Sequence, residues 1–224
     1  MQISAADHKR IAEAIETAEA KTSGEIFCIL ARRSGDYRET PLAWATAAGF
    51  LIPVALVPFG LTPDRLPPFN QLEWTSGAVS PARLIADYAI LQAAVFVLAL
   101  ILFSLPPIRR LMTPGGLKQH RVRGAAMEQF LSRGLHLTRE RTGVLIYASE
   151  AERRVEIVAD EGIHAKVGEA AWVEVVKGLT KAVGAGRPAD GFVEAIDRCG
   201  RILAEHFPPG ADNPNELPDK LIEI

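Results

Sequence analysis

Two apolar stretches without a single formal charge dominate the first half of the chain. Thr40–Pro63 reads TPLAWATAAGFLIPVALVPFGLTP and Tyr88–Ile108 reads YAILQAAVFVLALILFSLPPI. A helix needs roughly 20 apolar residues to cross a bilayer core about 30 Å thick. Both stretches are long enough. The plainer alternative is a pair of core helices in a soluble protein, but such helices usually keep a polar stripe. The sequence therefore predicts a transmembrane hairpin, with helices over about 42–61 and 88–108. The second stretch is the more uniform. The first contains Pro53 and Pro58, and each removes a backbone donor and favours a kink or a re-entrant path. Trp44 and Tyr88 open the two segments, where amphipathic rings favour the interface.

Positive charge sets the orientation. Lys9, Arg10, Lys21, Arg32, Arg33 and Arg38 precede the first segment, and Arg109, Arg110, Lys118, Arg121 and Arg123 follow the second. Only Arg65 and Arg83 lie between them. This bias predicts a multi-pass protein of a bacterial inner membrane, with both termini cytoplasmic and the loop Thr62–Asp87 outside. The polar start of the chain has no apolar signal core.

The chain has 224 residues and a formal net charge of −2. That size suits one modest domain plus a hairpin, and the near-neutral balance argues against nucleic acid as a partner. Cys28 and Cys199 are far apart, fall in apolar patterns and read as buried thiols.

Soluble-looking sequence flanks the hairpin. Ser4 and Asp7 form a variant capping box, followed by Ile11, Ile15 and Ala18 at helical spacing. Glu25–Ala31 is a nearly continuous apolar run and reads as a buried strand. Beyond the hairpin, Val122 to Gly134 outlines a helix. Val144–Ala148 reads as a second strand and Arg154–Asp160 as a third, antiparallel to the second. Glu150–Arg154 between them reads as a solvated charged turn. Helices follow over about 168–183 and 188–205, with Trp172 in the core. The tail over 208–224 is rich in Pro, Asn and Asp and reads as loosely ordered. One strand cannot form a sheet alone. The first strand must therefore join the later two, which makes the fold an α/β domain with a small mixed sheet flanked by helices. The domain is divided as 1–40 and 110–207, with the hairpin, 41–109, inserted between.

Several of these segments resemble the TPM domain family. They are Thr22-Ser23-Gly24-Glu25-Ile26, Thr142-Gly143-Val144-Leu145-Ile146-Tyr147-Ala148-Ser149, Arg153-Arg154-Val155-Glu156-Ile157 and Asp160-Glu161-Gly162-Ile163. That family includes a plant thylakoid-lumen protein reported as an acid phosphatase and many bacterial membrane proteins. The resemblance spans nearly all the soluble sequence and is interrupted at the hairpin, as in a bacterial membrane-protein branch. It implies a TPM-like fold and a divalent-metal-dependent phosphatase as one functional reading. The family's usual exit from the third strand is roughly Gly-aromatic-Gly-Leu-Glu. Here Asp160 replaces the first Gly and His164 the acid, so the acidic constellation is incomplete.

Asp160, Glu161 and His164 form the densest group of candidate ligands, with oxygens suited to Ca²⁺ or Mg²⁺. A solvated, capped turn explains the same residues without a ligand. Asp36 follows the first strand. If the first and third strands run parallel, Asp36 and Asp160 share one sheet edge, where ligands commonly bind. His8, His136 and His206 read as incidental. The basic run Lys118–Arg123 reads as a contact for anionic lipid head groups. Two readings of function follow. One is a membrane-anchored binding or assembly module whose partners are the lipid bilayer and another membrane protein. The alternative is the metal-dependent phosphatase.

Overall fold

Every residue of Glu25–Ala31 is buried, because this strand lies inside a sheet covered on both faces. The computed structural model describes residues 3–66, 80–210 and 214–224. It divides into two units, 1–35 with 116–224, and 36–115.

The first unit contains α1 (Ala5–Glu19), β1 (Glu25–Ala31), α5 (Gly115–Ser132, from its second residue), β2 (Gly143–Ser149), β3 (Arg154–Ala159), α6 (Glu161–His164), α7 (Val173–Gly184), α8 (Pro188–His206) and β4 (Leu221–Glu223). The second contains α2 (Glu39–Leu56), α3 (Pro81–Ser104) and α4 (Pro106–Met112).

The sheet order is β3-β2-β1-β4. β1 runs parallel to β2 in the register Cys28↔Ile146, and β3 returns antiparallel to β2. The pairing expected across the hairpin is therefore formed. Alternate residues of the strands face two cores. Ile26, Cys28, Val144 and Ile146 face α1, α7 and α8, whose Ile15, Leu179, Phe192 and Ile196 complete the larger core. Phe27, Ile29, Leu145 and Tyr147 face Val122, Ala126 and Phe130 of α5. α1 lies close on α8, since a Cβ at Gly200 would stand 2.7 Å from the Cβ of Ala18. Both thiols are free and buried, and burial pushes Cys199 up to about 12. Trp172 is part of the larger core.

The tail departs from its expected looseness. Leu221–Glu223 pairs parallel with Cys28–Leu30, and Arg32 N–H and Ile224 N–H extend the ladder to Ile224 and Leu30 carbonyls at 2.8 and 3.1 Å. Leu221 is buried in the larger core, which supplies the reason for the docking. His8, which reads as incidental in sequence, faces Glu223 at 3.0 Å and ties α1 to this strand.

Within the second unit, α2 continues through Pro53, and the chain tightens to a 3₁₀ turn at Val57–Phe59, where Pro58 lies. α3 starts at Pro81 rather than near Tyr88, because Ser80 caps it by accepting from Arg83 N–H. Leu105 breaks it and Pro106 opens α4. The buried positions of α2 are small or compact residues. Ala45, Gly49 and Pro53 recur every fourth position and are buried, and a Cβ at Gly49 would stand 3.1 Å from that of Phe96. Large apolar side chains face outward instead, with Phe50 61% and Leu98 68% exposed. Both helices are long and apolar enough to cross a membrane. Most of the expected outer loop, residues 67–79, lies outside the described residues.

Candidate functional site

Asp160 directly follows β3. Its N–H donates to Gly143 carbonyl at 2.9 Å, and its Oδ1 accepts from Glu161 N–H at 2.7 Å, capping the single turn of α6. Its Oδ2 is buried with no partner among the described residues. The turn packs tightly at Gly162, where a Cβ would come within 2.9 Å of Glu140 carbonyl oxygen. Ile163 consequently enters the core, while Glu161 and His164 face solvent. The predicted ligands on this turn thus divide, with one carboxylate inward and two groups outward.

Asp36 belongs to the second unit and faces Arg38 at 3.7 Å. β1 and β3 run antiparallel, since each is fixed by its pairing to β2. Their exits therefore lie at opposite sheet edges, and the parallel arrangement that would join Asp36 to Asp160 is not formed. Among the described residues, no three His, Cys, Asp or Glu side chains are grouped as a metal ion would need.

The charged turn between β2 and β3 is more than a solvated loop. Glu152 is buried. Its Oε2 accepts from Ser149 Oγ and, at 3.2 Å, from Ser34 N–H. Ser34 Oγ meets Tyr147 Oη at 2.9 Å. These bonds fix the exit of β1 to the β2–β3 hairpin.

The sides of β1 and β3 that face away from β2 are treated differently. The β1 edge is sealed. β4 covers its second half, and the Glu19 carboxyl accepts from Ile26 N–H at 2.7 Å. Glu25 accepts from Leu217 N–H at 3.1 Å, drawing the tail across. Glu16, Glu19, Glu25, Asn215 and Asp219 line a cavity of about 290 Å³ there. Burial, together with the charges of Glu25 and Asp219, pushes Glu19 up to about 9 against the lowering effect of the Ile26 bond. Burial also raises Glu25. Nothing in the helical spacing of α1 marks Glu19, because the tail that buries it is distant in sequence.

The β3 edge is open among the described residues. Because Asp160 and Gly143 form a bonded pair, alternation directs the N–H and C=O groups of residues 158, 156 and 154 toward β2. Those of Val155, Ile157 and Ala159 point away from the sheet. A groove of about 310 Å³ runs along this edge. On the α5 side, Gln119 accepts from Arg154 at 2.8 Å and donates to Glu156 at 2.7 Å, with Arg123 3.9 Å from Glu156. Burial raises Glu156, opposed chiefly by the Arg123 charge. On the other side, Ile157, Trp172 and Val176 form an apolar wall.

Comparison with known proteins adds a domain match. Residues 112–202 match the model of the TPM domain. The NMR structure of the BA42 protein from the psychrophilic bacterium Bizionia argentinensis resembles the chain with a TM-score of 0.56 at 19% identity, covering 100% of this chain and 96% of that one. At that identity the likeness concerns the fold. No curated protein matches the chain. The matched segment holds β2, β3, α7 and most of α8, and β1 from before the hairpin completes the centre of their sheet. What the comparisons establish is a TPM-domain match confined to residues 112–202 of this chain.

Proposed function

We propose that this protein is an integral inner-membrane protein that presents its TPM domain to the cytoplasm as a protein-binding or assembly module. The observation that carries the anchoring is the inverted packing of α2 and α3, with small residues in the seam and Phe50, Leu51, Leu98 and Ile101 outside. Water would not tolerate that surface, whereas lipid matches it. Only 17% of the apolar window in the first helix and 6% in the second is buried, so neither behaves as a core helix. Trp44 donates to Met112 carbonyl at 3.0 Å, which brings the start of α2 beside the end of α4, as a hairpin returning to one side requires. The Lys and Arg asymmetry supports a cytoplasmic placement of that side.

The binding role is supported by the open β3 edge. The phosphatase alternative needs a ligand set that the described residues do not group. Reporter fusions test the topology. Alkaline phosphatase fused after Ser80 should be active and the same enzyme fused after Ile224 inactive. The reverse pattern would overturn the orientation, and release of the full chain from membranes by alkaline carbonate would overturn the anchoring.

A further inference from the structure

We propose that the outer edge of β3 is a docking site for an extended acidic segment of a partner protein, which adds to the sheet as a fifth strand. The proposal deepens the binding-module reading by naming its surface and the chemistry of its partner.

Unpaired strand edges invite pairing with another chain, and folds usually cover or blunt them. This molecule covers the side of β1 that faces away from β2. At β1, Ile224, β4 and the Glu19 carboxyl take up the outward backbone groups. At β3, the outward groups of Val155, Ile157 and Ala159 have no backbone partner among the described residues. The usual defence, charge projecting from the edge strand, is weak here. Arg154 and Glu156 are both engaged by Gln119 on α5 and so are held against the α5 wall.

The two walls specify the occupant. A strand added beside β3 presents alternate side chains to opposite faces. One set would meet the apolar wall of Ile157, Trp172 and Val176. The other would meet Arg123 and Arg154, with Arg153 at the hairpin end. The groove carries two carboxylates besides these three guanidinium groups. Glu156 is already bonded to Gln119 and faces Arg123, which leaves Glu169 on the opposite wall. The complementary ligand alternates acidic and aliphatic residues. Main-chain bonds would supply affinity, and the arginine wall would supply the preference for acids.

The test uses full-length protein in detergent micelles and a fluorescent decapeptide alternating Glu with Val or Ile. Anisotropy should report saturable binding. The same peptide N-methylated at alternate residues should lose affinity in one methylation register and retain it in the other, since only one set of its amides faces β3. A peptide with Lys in place of Glu should bind at least about tenfold more weakly. Ile157→Pro removes an outward N–H without touching the ladder to β2, a position that edge strands tolerate. It should weaken binding by about tenfold or more, and Arg154→Glu with Arg123→Glu should reverse the charge preference. Equal binding of both methylated registers, equal binding of the Lys peptide, or no binding would overturn the proposal. So would concentration-dependent self-association abolished by Ile157→Pro, which would make a second copy the occupant. The topology fusions bear on the anchoring alone, so either result can fail without the other.

Discussion

The two units bury their apolar side chains in opposite senses. In the first unit, which holds most of the TPM match, β1 and β2 are buried at all seven positions each, and the large side chains point inward. In the hairpin unit, the buried positions of α2 include the small Ala45, Gly49 and Pro53, with Gly49 against Phe96, while Phe50 and Leu98 face outward. Large apolar side chains thus lie inward in one unit and outward in the other, the contrast that different surroundings would produce. Water drives large side chains into a core. Lipid gives no such drive, so helices approach through small residues that let backbones come close.

Matched truncations should separate the units most sharply. Ile146→Ala removes a fully buried side chain and should cost about 2–5 kcal/mol of stability in the first unit. Leu98→Ala in the hairpin should cost well under about 1 kcal/mol, because its side chain contacts the surroundings rather than a core. Denaturation midpoints of the full chain in micelles, followed by hydrogen exchange in each unit, measure both. Equal losses would break the comparison. A charge should act in the reverse sense. Leu98→Arg places a guanidinium at mid-span and should disfavour insertion by about 3 kcal/mol, read as a rise in the carbonate-extractable fraction. Retention equal to the parent protein would argue that α3 does not span.

The sealed edge of the first unit offers a titration. Glu19 is pushed up to about 9 in the folded chain, so its stabilising neutral form is fully present below the unfolded carboxyl range near pH 4.5 and is lost as pH rises toward 9. Glu19→Gln keeps an acceptor for Ile26 N–H but cannot ionise. Between pH 6 and pH 8 its stability should rise relative to the parent by about 2 kcal/mol, within the ceiling of about 1.4 kcal/mol per pH unit for one proton. Parallel stability curves would show that Glu19 ionises normally. A further effect belongs to the seam. Gly49→Leu meets Phe96 and the Gln92 carbonyl and should loosen the hairpin by about 1–2 kcal/mol. Thermal unfolding of α2 and α3 in micelles would register it, and no change would argue against close packing there.

Much of this arrangement was legible in residue order. The doubly apolar run of β1 demanded partners on both sides, and only the strands beyond the hairpin could supply them. What escaped notice depended on context rather than pattern. β4 is three residues long, and its strand character comes from the β1 edge that it completes. Glu19 looks like any polar helix residue until the tail folds over it. The start of α3 was displaced because hydropathy stops at charges, whereas helices start at caps. Arg83 and Asp87 lie inside α3 as an i,i+4 pair at 3.6 Å and are largely buried. At the candidate site, Asp160, Glu161 and His164 lie together in sequence. One helical turn nevertheless sends Asp160 inward and Glu161 and His164 outward, which spacing alone did not reveal.

The central position of β1 also has a cost in time. Its amides and both apolar faces are synthesised before either strand that will flank it. During that interval α2 and α3 are also made, and β1 has only α1 beside it. Parallel pairing across such separations forms slowly, because loop closure precedes any reward from contact. A seven-residue apolar strand waiting in this way is the segment of the nascent protein most exposed to wrong pairing, and the rate at which β2 emerges sets how long the exposure lasts.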